Sequence, residues 1–486
     1  MKTALKYILG GLIVGSTFLS CDVDKYNLDP NRPTIVEPQA ILPNVIFQSF
    51  KNRYPWQPGL TMRHNTAISD RQAFQTYEWS TGSWDEFNIL RDVQKVMTAT
   101  SATEADKAIA HILRAYNFFF LTRMYGDIPY TQALAGEQAG APVYTPAYDT
   151  QKEVLLGILS ELETANSILA QTPSRVNGDI LYQGDLKKWQ KFANSFSLKV
   201  LLSCSNQQSD TDLAVADRFK KIVSNPAQYP VFASAEDEVK VAYSDYELIR
   251  YPMYQDFNVQ NKRFLGKDLT NLMKTLQDPR LFFYGQPSQN ALEQGLTAQD
   301  FNAYQGIDGS LSMPKATELA STGDYSRIHV TNYTTSPVGK PSLAFSYTEF
   351  MLLLQEAQLR GWFSGTASYY DHAITASFAH YGIQEQANSY LQLNALSTDT
   401  ETALQQVYAQ RYILFYHQGD FEPLFEYHRT GYPKLSFGEG QATSSMPYRM
   451  MYPLSEQNTN TDHYQQALAR QGMKTDNIMH KLWIYN

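Results

Sequence analysis

Apolar residues recur at intervals of three and four along most of this chain, with polar residues between them. That spacing matches the turn of an α-helix and predicts amphipathic helices with one buried face. In the segment 150–170, for example, Leu155, Ile158 and Leu162 share one side. Helices are predicted most clearly over 86–98, 104–125, 150–170, 185–205, 211–224, 347–362 and 366–381.

Several of these helices begin with a recognisable cap. A hydroxyl residue followed three positions later by an acid lets each side chain bond to the other's backbone N–H. Four such pairs occur: Thr103 with Asp106, Thr150 with Glu153, Ser346 with Glu349, and Thr398 with Glu401. Asp185 is the expected start of a further helix. Gly126, with Pro129 beyond it, is the expected end of the helix over 104–125.

Consecutive helices form neighbouring pairs: 104–125 with 150–170, 185–205 with 211–224, and 347–362 with 366–381. Paired helices of this length favour stacked helical hairpins. Strand patterns are sparse, and only residues 239–243 and 328–333 are expected to pair briefly. The chain is therefore predicted to form one predominantly α domain with long irregular loops and minor β structure.

The first 21 residues carry a different signal. Lys2 and Lys6 precede an apolar run over 8–18 that is too short to span a bilayer as a helix. This order predicts a secretory signal peptide over residues 1–20. The four residues that end at Cys21, FLSC, resemble a bacterial lipobox, in which the cysteine is acylated.

Acylation of Cys21 would leave a polar tether over 21–35 and a folded domain over 36–486. The alternative is an ordinary signal peptide with a chance cysteine. No later segment is apolar enough over the length of a membrane helix. Contact with the membrane is therefore expected through the lipid anchor only.

Composition excludes some partners. Loss of Lys2 and Lys6 with the signal peptide takes the net charge from −8 to −10, and no basic block exists, so a nucleic-acid partner is not expected. If Cys21 carries lipid, Cys204 has no partner within the chain. The apolar residues before Cys204 predict an inert thiol in the core.

Signatures of catalysis and of metal binding are missing from the sequence, which contains no HExxH, CxxC or GxSxG motif and no phosphate-binding loop. His372 and His380 share a predicted helix but lie too far apart to bind one metal ion. A calcium ion held by loop oxygens stays open, because its ligands have no fixed spacing. For the charged group Glu426, His428 and Arg429, a buried ion pair is favoured over catalysis.

Seven blocks of the chain, in order, resemble the SusD/RagB-like outer-membrane lipoproteins, and they cover nearly the whole mature chain. The blocks are ILRAYNFFFLTRMYGDIPYTQAL (112–134), YDTQKEVLLGILSELETANSIL (148–169), GDLKKWQKFANSFSLKVLL (184–202), SYTEFMLLLQEAQLRGW (346–362), QQVYAQRYILFYHQGDFEPLFEYHRTGYPKL (405–435), MPYRMMYPLSEQNTN (446–460) and KLWIYN (481–486).

The resemblance implies tetratricopeptide-like helix pairs that carry a variable face of loops. It implies a surface lipoprotein of Bacteroidetes-type bacteria, located at the outer membrane. It further implies a lid on a SusC-like TonB-dependent transporter barrel, capturing a glycan or an oligopeptide for import. The resemblance also implies a binding protein rather than an enzyme, with no resident cofactor.

Aromatic residues are concentrated in 54–87 without helical spacing, with arginine and asparagine residues among them. Rings beside such donors provide the stacking surface and fixed polar groups that a sugar or a peptide side chain needs. The resemblance implies ligand loops in this region and again over 279–333. The candidate ligand residues are Tyr77, Trp79, Arg63, Asn65, Arg71, Tyr284 and Tyr304. Packing of each ring onto the scaffold is the alternative.

Two other functions stay open at this point. One is a helical-repeat lipoprotein scaffold for outer-membrane assembly, although such a scaffold has little use for long aromatic loops. The other is a surface glycoside hydrolase, which needs two carboxyl groups placed across a sugar site. Adjacent acids such as Asp85 and Glu86 are more typical of a solvated loop. The sequence does not identify the ligand.

Overall fold

The computed structural model describes residues 37–70, 72–137, 140–173 and 175–486. This part of the chain is predominantly helical with few strands, as predicted. Its longer helices are Pro38–Phe50, Glu86–Thr98, Glu104–Tyr125, Gln151–Gln171, Leu186–Ser203, Val215–Val223, Lys267–Thr275, Met313–Ala320, Tyr347–Leu359, Tyr369–His380, Thr400–Leu414, Glu422–Thr430 and Thr461–Arg470. Its shorter helices are Gln57–Thr61, Ala73–Thr76, Phe257–Lys262, Leu281–Tyr284, Gln289–Glu293, Val330–Thr334, Ala387–Leu393 and Leu454–Thr459.

Most of the long helices pack into one continuous stack. The Glu104–Tyr125 helix contacts both Glu86–Thr98 and Gln151–Gln171. Leu186–Ser203 packs against Gln151–Gln171 and also contacts Tyr347–Leu359. All three predicted pairs of neighbouring helices pack together, which confirms the tetratricopeptide-like arrangement.

Local caps set most of the helix boundaries. Thr103 and Thr150 form complete capping boxes with Asp106 and Glu153. Ser346 accepts from the backbone of Glu349, and Asp185 caps the helix that follows it. Gly126 ends its helix at φ 86°, a conformation that side-chain-bearing residues rarely adopt.

The prediction for the helix at 400 is wrong by one residue. Asp399, not Thr398, is the cap, and its Oδ2 accepts from the backbone N–H of Thr402 at 2.9 Å. The hydroxyl of Thr402 donates to the same oxygen at 2.6 Å. A carboxylate that accepts two hydrogen bonds is a better cap than the neighbouring hydroxyl.

The expected pairing between 239–243 and 328–333 is also wrong. The strand Val239–Val241 forms, but its antiparallel partner is Ser342–Phe345. His329 instead caps the short helix Val330–Thr334, because its Nδ1 accepts from the backbone of Asn332 at 3.3 Å. The second two-stranded sheet joins Asn65–Ala67 to Arg263–Leu265.

The main core lies between the stacked helices and contains the residues predicted for it. Trp189 and Trp362 are buried, and the Trp189 indole donates to Asp179 Oδ2 at 2.9 Å. Cys204 is fully buried, and burial raises the pKa of its thiol to about 12, as expected for an inert core thiol. None of the helices in the described ranges is both long and apolar enough to cross a membrane.

Of the charged group predicted to form a buried ion pair, Glu426 and Arg429 do belong to a buried ion network, whereas His428 packs against the Tyr448 ring instead. Arg429 and Arg411 bind the carboxylates of both Glu356 and Glu426. Burial opposes ionisation of Glu356, but the two guanidinium groups outweigh it and hold the pKa of this carboxyl below its ordinary value. The predicted signal peptide, Cys21 and tether lie outside the described residues and stay predictions.

Candidate ligand-binding cleft

An open cleft of about 670 Å³ lies where the 279–333 segment meets the two-stranded sheet of Asn65–Ala67 and Arg263–Leu265. Drug-sized and sugar-sized ligands occupy pockets of roughly 300–1,000 Å³. We call it the Tyr325 cleft, and it is lined by Ile68, Asn261, Phe264, Gln286, Pro287, Gln289, Leu292, Thr317, Ala320, Ser321, Gly323, Tyr325, Arg327 and His329.

Backbone hydrogen bonds between extended segments form the floor of the cleft. The Leu265 N–H donates to Ser326 O at 2.9 Å. The Gln286 N–H donates to Arg327 O at 2.9 Å, which adds a third segment beside the second. These bonds place the side chains of Gln286 and Arg327 on neighbouring segments at the floor of the cleft.

Glycine allows the floor segments to approach closely. A Cβ atom at Gly285 would lie 2.3 Å from Leu265 Cδ1 and 3.2 Å from Arg327 O. The first distance is far below ordinary van der Waals contact. Gly285 therefore keeps Gln286 in register with Arg327.

A small second core supports one wall. Ile68, Phe264, Ile307 and Ala316 form a buried cluster separate from the main core, with Tyr325 packed against it. Ala316 belongs to the Met313–Ala320 helix, so this cluster attaches that helix to the floor. The Ser69 N–H also donates to Thr317 Oγ1 at 3.2 Å.

The lining combines apolar surface with neutral polar groups. Tyr325 is half-buried, and Leu292 keeps 49% of its surface exposed. Gln286, Gln289 and Asn261 contribute amide groups, each a donor and an acceptor.

Two basic side chains complete the cleft. The Arg327 guanidinium donates to Asn261 O at 2.8 Å and lies 5.8 Å from the centre of the Phe264 ring. Burial, with a contribution from Lys340, lowers the pKa of His329. His329 is therefore neutral at pH 7. Among the described residues, the cleft lining contains no carboxylate.

The early aromatic candidates do not line this cleft. The Tyr77 side chain is 1% exposed, and its hydroxyl donates to Thr61 O at 3.0 Å. Trp79 is 6% exposed and packs 5.9 Å from the Phe74 ring, measured between centroids. Neither ring has a free face for stacking in this structure, so the packing interpretation fits both.

The later aromatic candidates are buried as well. Tyr284 is completely covered and stacks on Tyr416. Tyr304 is 1% exposed, and its hydroxyl donates to Ala298 O at 2.9 Å. Both rings support the 279–333 loops from below, rather than presenting a surface to a ligand.

The polar candidates are also enclosed. The guanidinium carbon of Arg63 lies over the Phe437 ring, 5.2 Å from its centroid, and Arg63 Nη1 is 4.0 Å from Asp268 Oδ2. Asn65 belongs to a buried strand, with its Nδ2 3.4 Å from His417 Nε2. Arg71 lies outside the described residues.

The cleft lining within the 279–333 segment differs from the candidates chosen there, Tyr284 and Tyr304. Tyr325 and Arg327 lie inside that predicted range, whereas Phe264 and Asn261 come from an earlier part of the chain. The usable signal was the sequence STGDYSRIH, in which small residues flank one tyrosine and one arginine.

The geometry bears on two other interpretations. Glycoside hydrolysis needs a pair of carboxyl groups across the sugar site, and the described lining of the cleft offers none. Within the described ranges, no group of three or more histidine, cysteine, aspartate or glutamate side chains is placed to hold a metal ion.

Comparison with known proteins gives one family. The model of a SusD-like family, described as starch-binding and associating with the outer membrane, matches residues 30–453. No curated protein matches the chain.

Solved structures show the same fold. An outer-membrane protein of Bacteroides vulgatus, described in connection with nutrient binding, is 33% identical with a TM-score of 0.86, over 93% of this chain and 100% of that one. A SusD homologue of Bacteroides fragilis is 30% identical with a TM-score of 0.84, over 93% and 99% of the two chains. A chitin-binding SusD homologue of Flavobacterium johnsoniae is 20% identical over 92% and 98%, with a TM-score of 0.73, and shows the fold alone.

Proposed function

This chain belongs to the SusD-like family, and we propose that it is an outer-membrane nutrient-binding protein that captures a glycan in the Tyr325 cleft. The observation that carries this proposal is the lining itself. A half-buried tyrosine lies beside neutral amides in an open space of about 670 Å³. Sugar rings bind to an aromatic face together with groups that both donate and accept hydrogen bonds.

The lining favours a glycan over an oligopeptide. A peptide site usually offers exposed strand edges or deep pockets for side chains. Here the floor segments bond to one another, and the cleft is broad. The descriptions of relatives as starch-binding, chitin-binding or nutrient-binding support the same choice.

Glycan arrays followed by calorimetry test this function. Tyr325→Ala should weaken binding of the best glycan by at least about fivefold, the effect of losing an important contact residue. Tyr144→Ala removes the same ring from a site that is 79% exposed and is not part of the cleft lining, so it should change nothing. Equal affinity in both variants, or a preference for oligopeptides over every glycan, would refute the proposal.

We further propose that lipid on Cys21 anchors the protein to the outer membrane, where it serves as the lid of a SusC-like TonB-dependent barrel. The support is the lipobox-like sequence and membership of the family. Cys21→Ser should move the protein from the membrane fraction to the soluble fraction. Mild detergent extraction of the wild type should recover a barrel with it. Recovery of the monomer alone in several detergents would count against this partner.

Binding without catalysis is part of the same proposal. Relatives are described as binding proteins, and the cleft lining lacks the acid pair of a hydrolase in its described residues. Incubation with the bound glycan should release no new reducing ends. A scaffold for outer-membrane assembly predicts no glycan affinity at all, so the array separates that alternative too.

A further inference from the structure

A second groove, of about 280 Å³, lies beside the start of the Tyr347–Leu359 helix and the end of the Tyr369–His380 helix. Two half-buried rings, Tyr347 and Tyr381, form part of its lining, together with the Gln418 amide. A smaller space continues from it past His380 and Tyr381 to Lys340. The rings and the amide resemble the chemistry of a sugar subsite.

Basic groups outnumber carboxylates around this groove and the smaller space beside it. Its one carboxylate, Glu238, is already engaged: Oε2 accepts from the Tyr347 backbone at 3.3 Å and Oε1 lies 3.4 Å from Lys240 Nζ. Lys240 therefore balances Glu238, and Lys340 and His380 are the further basic groups. Burial, with the charges of Lys340 and then Lys240, lowers the pKa of His380. Lys240 and His380 line the groove, and Lys340 and His380 line the smaller space beside it.

The position of Lys340 is held by its neighbours. Gly339 has φ 40°, and a Cβ atom there would lie 2.1 Å from the Tyr251 ring. Only glycine therefore allows this turn to pack so closely against the ring. The Tyr251 N–H donates to Pro337 O at 2.7 Å. Lys340 is therefore presented from an anchored turn, although its own side chain is exposed.

The groove and the Tyr325 cleft lie on either side of Tyr284. The Tyr284 carbonyl accepts from the backbone of the cleft residue His329 at 2.8 Å. The Tyr284 hydroxyl lies 3.3 Å from the hydroxyl of the groove residue Tyr381.

We propose that this groove is a second saccharide site and that it takes a sugar bearing a carboxylate, such as a uronic acid. The carboxylate would bind among Lys340, Lys240 and His380, and the sugar ring would contact Tyr347 or Tyr381. An acidic peptide would also supply a carboxylate, but the two rings and the Gln418 amide match a pyranose better. This site is independent of neutral glycan binding in the Tyr325 cleft.

Galacturonate and galactose are suitable probes, since they differ only at C6, which is a carboxylate in the first sugar and a hydroxymethyl group in the second. Titrated against the full mature chain in mild detergent, galacturonate should bind at least about fivefold more tightly than galactose. Lys340→Gln and His380→Asn should each weaken galacturonate binding about three- to tenfold. Lys220→Gln removes the same charge from a helix that lines neither cavity, and it should have no effect.

Acidity provides a second readout. Protonation of His380 adds a charge beside Lys240 and Lys340, with Glu238 already paired. Because the pKa of His380 is lowered from 6.5, protonation requires a more acidic solution, and galacturonate should bind more tightly at pH 5 than at pH 8. His380→Asn should abolish that difference while the melting temperature stays unchanged. Equal binding of galactose and galacturonate, tighter binding of N-acetylglutamate than of galacturonate, or equal losses in Lys220→Gln and Lys340→Gln would each overturn the proposal.

Discussion

The ring of Tyr284 lies flat on the ring of Tyr416, with centroids 4.2 Å apart and an interplanar angle of 8°. The Tyr284 hydroxyl donates to Ile413 O at 3.0 Å, and the Tyr416 hydroxyl donates to Tyr284 O at the same distance. The pair joins the Leu281–Tyr284 helix to the end of the Thr400–Leu414 helix. A tyrosine held in this way supports the 279–333 loops from the core and is not exposed to the cleft.

Tyr284→Ala should therefore lower the free energy of unfolding by about 3–5 kcal/mol, the usual cost of removing a large buried ring. Tyr284→Phe keeps the stack and should cost about 1 kcal/mol for the lost hydrogen bond. Urea titration measures both values. Tyr246→Ala, at a ring that is 62% exposed, is the control and should be neutral. A stable Tyr284→Ala variant that loses glycan affinity would instead make Tyr284 a ligand residue.

Glu356→Gln should be strongly destabilising, although it changes the side-chain volume little. The Glu356 carboxylate is fully buried and binds Arg429 and Arg411. Removal of its charge leaves Arg429 and Arg411 buried with only Glu426 to balance them, and it also breaks the 2.8 Å pair with Arg360. Such a change typically costs about 3–5 kcal/mol. Chemical denaturation at pH 7 measures the loss.

The control for that variant is Glu104→Gln. Glu104 pairs with Lys107 at the surface, and its side chain is 63% exposed. Such pairs contribute about 0–1 kcal/mol. Similar losses in the two variants would show that the buried network is not specially sensitive to charge.

Acidification should destabilise the protein partly through His64. This imidazole is completely buried, its ring centroid is 4.4 Å from that of Tyr412, and burial together with His417 lowers its pKa to about 3. An unfolded histidine has a pKa near 6.5. Below that pH the imidazole is protonated in the unfolded chain but stays neutral in the folded protein. The contribution of His64 to the free energy of unfolding is therefore fully present above about pH 6.5 and is lost as the pH falls toward 3.

His64→Gln removes this one titration. Between pH 6.5 and 4, the difference in unfolding free energy between wild type and variant should change by about 1 kcal/mol per pH unit, with the wild type losing more. Denaturation at several pH values measures this difference. A constant difference across the window would show that His64 does not titrate as its burial requires. His417 is present in both proteins, so its own titration largely cancels.

Gly285→Ala tests the floor of the Tyr325 cleft. The added methyl group would meet Leu265 Cδ1 and separate Gln286 from Arg327. Overpacking of this kind costs about 1–3 kcal/mol, and glycan affinity should fall with it. Gly365→Ala is the matched control, because the nearest atom to its Cβ would be 3.6 Å away. Normal glycan affinity in a destabilised Gly285→Ala protein would place the ligand away from the floor.

The helix boundaries of this protein are determined by residues that lie close together in the sequence. Thr103 and Asp106, or Thr150 and Glu153, satisfy the donors of one helix start by themselves, so their positions could be predicted from the chain. The wrong cap at Thr398 is also a local matter, because the adjacent Asp399 accepts from the backbone N–H groups that start this helix. Cys204 and Trp189 were predictable as core for a similar reason, because each lies on an apolar helical face.

The strand partner and the lining of the Tyr325 cleft depend on residues far apart in the sequence. Val239–Val241 pairs with Ser342–Phe345, which no local pattern indicates. Tyr284 and Tyr325 are both tyrosines of the 279–333 segment, yet Tyr416 covers the first while the second lines an open cleft. Whether a ring packs or faces solvent depends on what lies over it, and only the tertiary contacts decide that.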